Sequence, residues 1–539
     1  MKHFQIPSFS VLIIALALPH IVEVQSSAEK LDFKSSIVDI EGLGAMSFPN
    51  SGAAEAQEAF FRGVLLLHSF EFTQAAEAFR KAQDLDSDFA LAYWGEAMTY
   101  NHPLWGQFDG KKGQAALLRL APTREARQAK APTERERRYL NTIETLFFFE
   151  GEKETRDRAY MEAMRDLHET YPEDDEARAF YALSILGSKN GSRDFATYMQ
   201  AGAMAQPIFD RNPRHPGAAH YIIHSFDDPI HAPLGLAAAN AYADIAPDAA
   251  HAQHMTSHIF VALGLWDRTM IANVRARNIE DADRAKRGKK ANICGHYSAW
   301  LHYAYLQLGE VSKAEAMMDL ALERVEDNAT KSEWGYFVDM RSRQIVDTED
   351  WAQASRWTVS LDQFPSDKGG RGYGTAHFRY QITNALAGLY LGNDSLARVL
   401  LEQSRPEEPG QALQIDQLAG LLAIQDGKVE AGLQLLNQAA EAEDALPLAY
   451  GPPELVEPAY ESLGKSLLAQ GHWKEAAAAY RRAIERTPRR PLAVDGFAKA
   501  AKQLSADELS SIKVTNKKSA GTARISRKAQ EICLPATSG

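Results

Sequence analysis

Histidines cluster in two short segments near the middle of the chain. The segments are HPGAAHYIIH at 215–224 and HAQHMTSH at 251–258, and each holds three of the sixteen histidines in 539 residues. Imidazole nitrogens bind zinc, copper, iron and nickel, and they also act as general acids and bases near neutral pH. The segments are therefore candidates for a metal site or for acid–base chemistry. The structural alternative is a hydrogen-bonded network in a helical core.

Helical spacing places the histidines of each segment on one stripe. His251, His254 and His258 fall within about 60° of arc at about 100° per residue. His220 and His224, at i and i+4, are neighbours on their own helix. Nine of the sixteen histidines lie between 215 and 302, where an even distribution would place fewer than three. This clustering requires a cause beyond chance composition.

The N-terminus has the pattern of a cleavable export signal. Residues 1–28 begin with MKH, continue with the apolar stretch FSVLIIALAL and end with the small residues SSA. The apolar stretch is too short to span a bilayer, and the pattern is typical of a signal peptide. We therefore predict an exported protein, periplasmic or extracellular, with no stable membrane anchor.

Composition argues against nucleic-acid binding. The net charge is -12, so the surface repels phosphate backbones. The exception is the basic segment at 506–539, which is poor in large apolar residues and is predicted to be disordered. The only cysteines are Cys294 and Cys533, which excludes the sulfur-rich types of structural zinc site.

The rest of the chain has helical periodicity. Alanine-rich segments with apolar residues at i, i+3, i+4 and i+7 recur, separated by Gly, Pro and Asp. This uniform helical periodicity predicts an all-α fold with internal repeats. We divide it into an N-terminal linker at 29–54, a repeat region with the histidines at 55–310, and a second repeat region at 311–505.

One segment resembles a known repeat. YESLGKSLLAQGHWKEAAAAYRRAIERTP at 460–488 is similar to a tetratricopeptide repeat. Gly464 stands where the two helices of such a repeat cross, Tyr480 where the second helix packs, and Pro488 at the terminal proline. The resemblance implies a right-handed α-solenoid of helical hairpins, in which each repeat buries an apolar face against its neighbours.

Two other segments resemble a narrower group. LLHSFEFTQAAEAFRKAQ from residue 66 and HPGAAHYIIHSFDDPIHAPLG from residue 215 are similar to an exported bacterial subfamily of tetratricopeptide proteins. The motifs HYIIH and HMTSHIF carry that resemblance. It implies fold and export, and it implies no activity.

The repeat register implies where the histidine stripes point. It places the stripes of 220–224 and 251–258 on the first helices of two successive hairpins, at positions that line the concave groove. Five imidazoles would then face solvent there: His220, His224, His251, His254 and His258. Further groove or neighbouring candidates are His68, Glu96, Tyr100, His215, Asp227, Asp228, His231 and His296.

A divalent transition metal would resolve the crowding of these rings. Imidazoles on adjacent stripes repel once protonated, and a bound cation holds them neutral. The all-imidazole set suits zinc, copper or iron. A pair of metals, as in binuclear copper proteins, would place His215 with His220 and His224 on one ion. HAQHMTSH lacks the glutamate of a zinc-peptidase motif, so that motif's general base is missing.

Three functional hypotheses follow from these patterns. The first is an exported tetratricopeptide-type binding protein, whose groove takes a protein, peptide or small ligand and holds a histidine-lined metal site. The second is a metal-dependent enzyme, a hydrolase or a copper or iron oxidase, that uses the same site. The third is an interaction scaffold in which the histidines are structural.

Overall fold

The computed structural model describes residues 37–189, 194–327, 329–360, 373–406 and 408–512. The predicted signal peptide and the tail beyond residue 512 lie outside the described residues. The helices of the first half are α1 Gln57–His68, α2 Phe72–Leu85, α3 Ala90–Met98, α4 Gly110–Leu120, α5 Arg124–Ala129, α6 Glu134–Phe148, α7 Lys153–Thr170, α8 Asp175–Gly187, α9 Phe195–Arg211, α10 Pro216–Phe226, α11 Ala232–Ile245 and α12 Ala250–Ala262.

The second half continues the same architecture. Its helices are α13 Trp266–Lys286, α14 His296–Gln307, α15 Val311–Glu326, α16 Lys331–Thr348, α17 Tyr373–Tyr390, α18 Ser395–Gln403, α19 Pro409–Gln425, α20 Val429–Ala445, α21 Ala459–Ala469, α22 Trp473–Arg486, α23 Pro491–Ala501 and α24 Ala506–Ser511. Successive helices pack against one another along the chain. The predicted all-α solenoid of helical hairpins is confirmed. Among the described helices, none is both long and apolar enough to cross a membrane.

Two short β-hairpins interrupt the helices. Strands β1 Ile37–Ile40 and β2 Gly44–Ser47 pair antiparallel, as do β3 Asn101–His102 and β4 Gln107–Phe108. The first hairpin falls in the segment 29–54 that sequence analysis treats as a linker. Its apolar residues Met46 and Phe48 are fully buried, because they contribute to the core of the first repeats.

Aromatic side chains pack against glycines where two helices cross, as the repeat pattern predicts. Phe79 lies against Gly95, where an added Cβ would stand 2.3 Å from the ring. Tyr480 lies in the same way against Gly464 and Gly496, with corresponding distances of 3.0 Å and 2.2 Å. A larger residue at these glycines would push the helices apart, because interiors are close-packed.

Hairpins that are distant in sequence pack together in the first half of the chain. Helix α1 packs against α10 as well as against α2 and α3, and one apolar core runs through the residues from Leu43 to Ala262. The ring Nδ1 of His220 in α10 donates to the backbone oxygen of His68 in α1 over 2.6 Å. The first helices therefore face a filled interior rather than an open groove.

The last repeats return to the middle of the chain. Gly264, in the turn after α12, has a φ of +65°, and a Cβ there would lie 2.3 Å from the backbone oxygen of Pro488. The indole Nε1 of Trp266 donates to the backbone oxygen of Arg489 over 2.9 Å. Only glycine combines this backbone conformation with so close an approach.

Candidate metal centre

Three first helices of successive hairpins, α10, α12 and α14, carry a cluster of six imidazoles that we call the histidine centre. Its members are His220, His224, His251, His254, His258 and His296. The five predicted ligands have exposed fractions of 0% to 8%, and His296 is the most exposed of the six. The expectation that these stripes face solvent is wrong, because the packed helices around them bury all five rings.

We call the first group, His220, His224 and His251, the inner triad. One ring nitrogen from each residue lies within 4.8 Å of those of the other two. Since Nδ1 of His220 donates to the backbone of His68, its Nε2 is the nitrogen available to the group. Within the described ranges, Nε2 of His220 and Nε2 of His251 have no hydrogen-bond partner. Buried nitrogens in that state require an explanation, and a metal ion is one.

We call the second group, His254, His258 and His296, the outer triad. Nε2 of His254 lies 3.2 Å from Nε2 of His258 and 3.0 Å from Nε2 of His296. Two imidazoles on one tetrahedral ion stand about 3.3 Å apart, because metal–nitrogen bonds are about 2.0–2.1 Å long. The outer triad is thus close to the spacing of a ligand set.

Hydrogen bonds behind the rings fix their tautomers. Nδ1 of His254 donates to Oδ1 of Asn273 over 2.7 Å, and Nδ2 of Asn273 donates to the backbone of Thr269 over 2.8 Å. Nδ1 of His258 donates to Oδ2 of Asp227 over 3.0 Å. Because each neutral ring carries its proton on Nδ1, both present an unprotonated Nε2. Two lone pairs therefore face each other at 3.2 Å.

Burial favours the neutral form of three imidazoles of the centre. Desolvation lowers the pKa of His220, His251 and His254 well below the ordinary histidine value, and neighbouring imidazoles lower it further. The neutral forms of these three rings are therefore favoured. A cation between His254 and His258 would accept the lone pairs of both Nε2 atoms and leave the Nδ1 protons in place.

One buried carboxylate contacts both triads. Oδ2 of Asp227 lies 3.0 Å from Nδ1 of His258 in the outer triad and 3.5 Å from Nδ1 of His224 in the inner triad. A carboxylate behind a ligating imidazole orients the ring and raises the basicity of the opposite nitrogen. Asp227 was predicted as a residue near the site, and the structure gives it this position.

Aromatic side chains enclose the centre. Phe70 lies against His220 with ring centroids 4.3 Å apart and stacks on His251 at 5.4 Å. Trp300 stacks on His258 at 4.7 Å. These walls displace water and lower the local dielectric constant, which strengthens any interaction between a cation and its ligands.

His68 and His215 belong to a separate buried cluster. Oε2 of Glu176 lies 2.7 Å from Nε2 of His68, and its Oε1 lies 3.0 Å from Nε2 of His215. Nδ1 of His68 also lies 2.8 Å from the hydroxyl of Tyr221. Although burial opposes it, the two imidazoles lower the pKa of Glu176 to about 2. His215 is thus paired with a carboxylate. The binuclear hypothesis grouped His215 with His220 and His224, whereas the structure groups His251 with those two residues.

The remaining predicted residues lie elsewhere. Glu96 is buried and accepts from Gln83 over 2.7 Å and from the hydroxyl of Tyr100 over 3.3 Å. Asp228 lies 2.9 Å from Nδ1 of His231. These two groups do not join the histidine centre, and their contacts give them a local structural role.

Sequence reasoning missed the residues that support the ligands. Asn273 and Phe70 give no local signal, because their role depends on which helix packs across from them. Trp300 follows His296 by four residues, so helical spacing could have placed the two on one face. Glu176 likewise gives no local signal, because its partners His68 and His215 lie far from it in the sequence.

Comparisons with known proteins concern the repeat and the fold. Residues 458–490 match the tetratricopeptide repeat family model, which confirms that repeat. No curated protein matches the chain in sequence.

Among solved structures, two similar chains show the extent of the likeness. One is the anaphase-promoting complex hetero-tetramer Cut9–Hcn1, at 12% identity and a TM-score of 0.34, over 84% of this chain and 78% of that one. The other is the human IFIT1 dimer with PPP-AAAA, at 13% identity and a TM-score of 0.34, over 82% of this chain and 89% of that one. At these TM-scores neither likeness supports a functional conclusion.

Proposed function

We propose that the chain is an exported binding protein of the tetratricopeptide type, whose buried histidine centre holds a divalent transition metal. The ligands are the inner and outer triads, and Asp227 orients one ring of each. The repeats supply surfaces for a protein, peptide or small-ligand partner, and residues 1–28 supply the export signal. The bound metal adds metal-based chemistry to a scaffold whose helices alone lack it.

The contact between His254 and His258 carries the proposal. Their Nε2 atoms stand 3.2 Å apart, and both rings hold their protons on the opposite nitrogen through Asn273 and Asp227. A structural network would place a proton between two such nitrogens. A shared cation explains their approach without one.

The ligand set narrows the identity of the metal. Six neutral imidazoles suit zinc, copper or iron, whereas magnesium, calcium and manganese prefer oxygen ligands. The nearest carboxylate, Asp227, contacts Nδ1 atoms on the far side of two rings. It therefore acts through those rings rather than as a ligand.

Metal analysis of protein without a polyhistidine tag tests the proposal. We expect wild-type chain from metal-supplemented medium to retain zinc, copper or iron through gel filtration. The double variant His254→Leu, His258→Leu keeps the side-chain volume and removes two ligands, so it should lose the metal of the outer triad. The control is His168→Ala, His472→Ala, which removes two histidines outside the centre. Wild-type protein that takes up no more metal than the double variant would refute the proposal.

Asp227→Asn isolates the role of the supporting carboxylate. We expect metal affinity to fall roughly 10- to 100-fold, because the ligating rings lose their charged partner. Competition with a chromogenic chelator measures the change. Asp228→Asn is the matched control, since its neighbour Asp228 contacts His231 outside the centre. Equal affinities in the two variants would show that Asp227 does not support the ligands.

An enzymatic role is the second candidate. Each triad supplies three protein ligands, and a three-ligand site leaves a position open for water or substrate, as catalytic metal sites do. The greater exposure of His296 favours access from that side. Turnover of a chromogenic ester or of a catechol by metal-loaded protein, absent in the double leucine variant, would support this role.

A further inference from the structure

We infer that the two triads form one binuclear centre, which binds two copper ions bridged by a single small oxygen ligand. The inference rests on the proposed metal site and adds the number of ions, their identity and the class of ligand they share. It depends on how the six rings divide between two ions and on how close the two sets lie.

The six rings divide evenly into two ligand sets. Each triad offers three nitrogens that lie within 4.8 Å of one another. Helix α12 serves both, with His251 in the inner triad and His254 and His258 in the outer one. His251 groups with the rings of α10, whereas His254 and His258, one turn apart, group with His296 of α14, so the α12 stripe is divided between the two sets.

The two sets share a boundary. The ring centroids of His251 and His254, one from each triad, lie 5.9 Å apart, and those of His224 and His258 lie 5.6 Å apart. Asp227 contacts Nδ1 of His224 and of His258 with the same oxygen, Oδ2. One ligand atom from each of His224, Asp227 and His258 lies within 4.8 Å of the other two, so ions in the two triads would be neighbours.

Charge argues for a bridging anion. Two divalent ions bring four positive charges into a buried site, and the six neutral imidazoles offset none of them. Within the described ranges, two acidic side chains contact the ligand residues: Asp227, and Glu71, whose Oε1 accepts from the backbone nitrogen of His251 over 2.9 Å. A hydroxide between the ions, formed when a bridging water releases its proton to solvent, reduces the remaining excess of charge.

The ligand chemistry favours copper. Nitrogen sites bind copper(II) more tightly than the other divalent metals of the first row, including zinc. Neither triad contains a thiolate or a carboxylate ligand that would shift the preference. Phe70 and Trp300 flank the rings, and such enclosure suits a small bridging ligand.

Copper(II) titration of the full chain tests the inference. We expect uptake of two copper ions per chain. Ions at about 3.5–4 Å, the spacing of two-metal sites, couple through a bridge, and the integrated EPR signal should fall well below the copper content. Azide, which replaces a bridging hydroxide, should add a charge-transfer absorption band.

Two matched variants assign the ions to the triads. His251→Leu removes a ligand of the inner triad and His296→Leu one of the outer triad, and each should leave one copper ion with its full EPR signal. Two ions with a full signal in wild-type protein would overturn the bridged pair. One ion per chain would overturn the binuclear centre and leave the proposed metal site intact. No bound copper or zinc would overturn both.

Discussion

Metal-loaded protein will resist denaturation more strongly than metal-free protein. At a free metal concentration about 1,000 times Kd, we expect each occupied site to add about 4 kcal/mol to the free energy of unfolding. The gain arises because the assembled triads exist only in the folded chain. Urea unfolding followed by circular dichroism, with zinc or with a chelator, measures the difference.

The double variant His254→Leu, His258→Leu provides the control. Its stability should respond to metal less than that of wild-type protein, because the outer triad is gone. Without metal it should lose about 1–3 kcal/mol of stability relative to wild-type protein, because Asp227 loses its contact with His258 and Asn273 its hydrogen bond to His254 in a buried site. A variant that is much less stable without metal, beside a wild-type chain that ignores metal, would mean that the histidines are structural.

Arg490→Ala will destabilise the chain by about 3–5 kcal/mol, because it leaves buried carboxylates without their partner. Arg490 is fully buried just before α23. Its Nη2 donates to Asp347 of α16 over 2.7 Å, and its Nε donates to Glu461 of α21 over 2.7 Å. The guanidinium therefore joins the start of α23 to α16 and α21, and urea unfolding measures its loss.

An exposed ion pair is the control for that variant. Arg398 is 45% exposed and contacts Asp394 and Asp426. Arg398→Ala should cost about 0–1 kcal/mol, as for most surface pairs. Similar losses in Arg490→Ala and Arg398→Ala would show that the buried network contributes no more than a solvated one.

The fold was predictable because its signals are local. Gly464 and Tyr480 stand at positions where a tetratricopeptide hairpin needs a small residue and a ring, and the structure packs them in that way. Each hairpin contacts its neighbours along the chain, so periodicity and turn residues specify most of the architecture. The β-hairpin at 37–47 was missed because its strands are only four residues long.

The histidine centre was predictable in membership but not in arrangement. Spacing alone placed His220 with His224, and His254 with His258, on common faces. It could not divide the α12 stripe between two groups, because the offset between α10 and α12 decides that His251 meets His220. Nor could it predict burial, which depends on the contact of α1 with α10, more than a hundred residues apart.

The contact of Trp266 with Arg489 spans 223 residues of chain. Solenoids whose repeats touch only their neighbours unfold in pieces, because their stability is a sum of local contributions. Here the final hairpins pack against the turn after α12. Unfolding of the final hairpins would therefore expose that turn, and unfolding of the turn would expose the final hairpins. The chain should therefore fold slowly, as high contact order requires, and unfold as a cooperative unit rather than repeat by repeat.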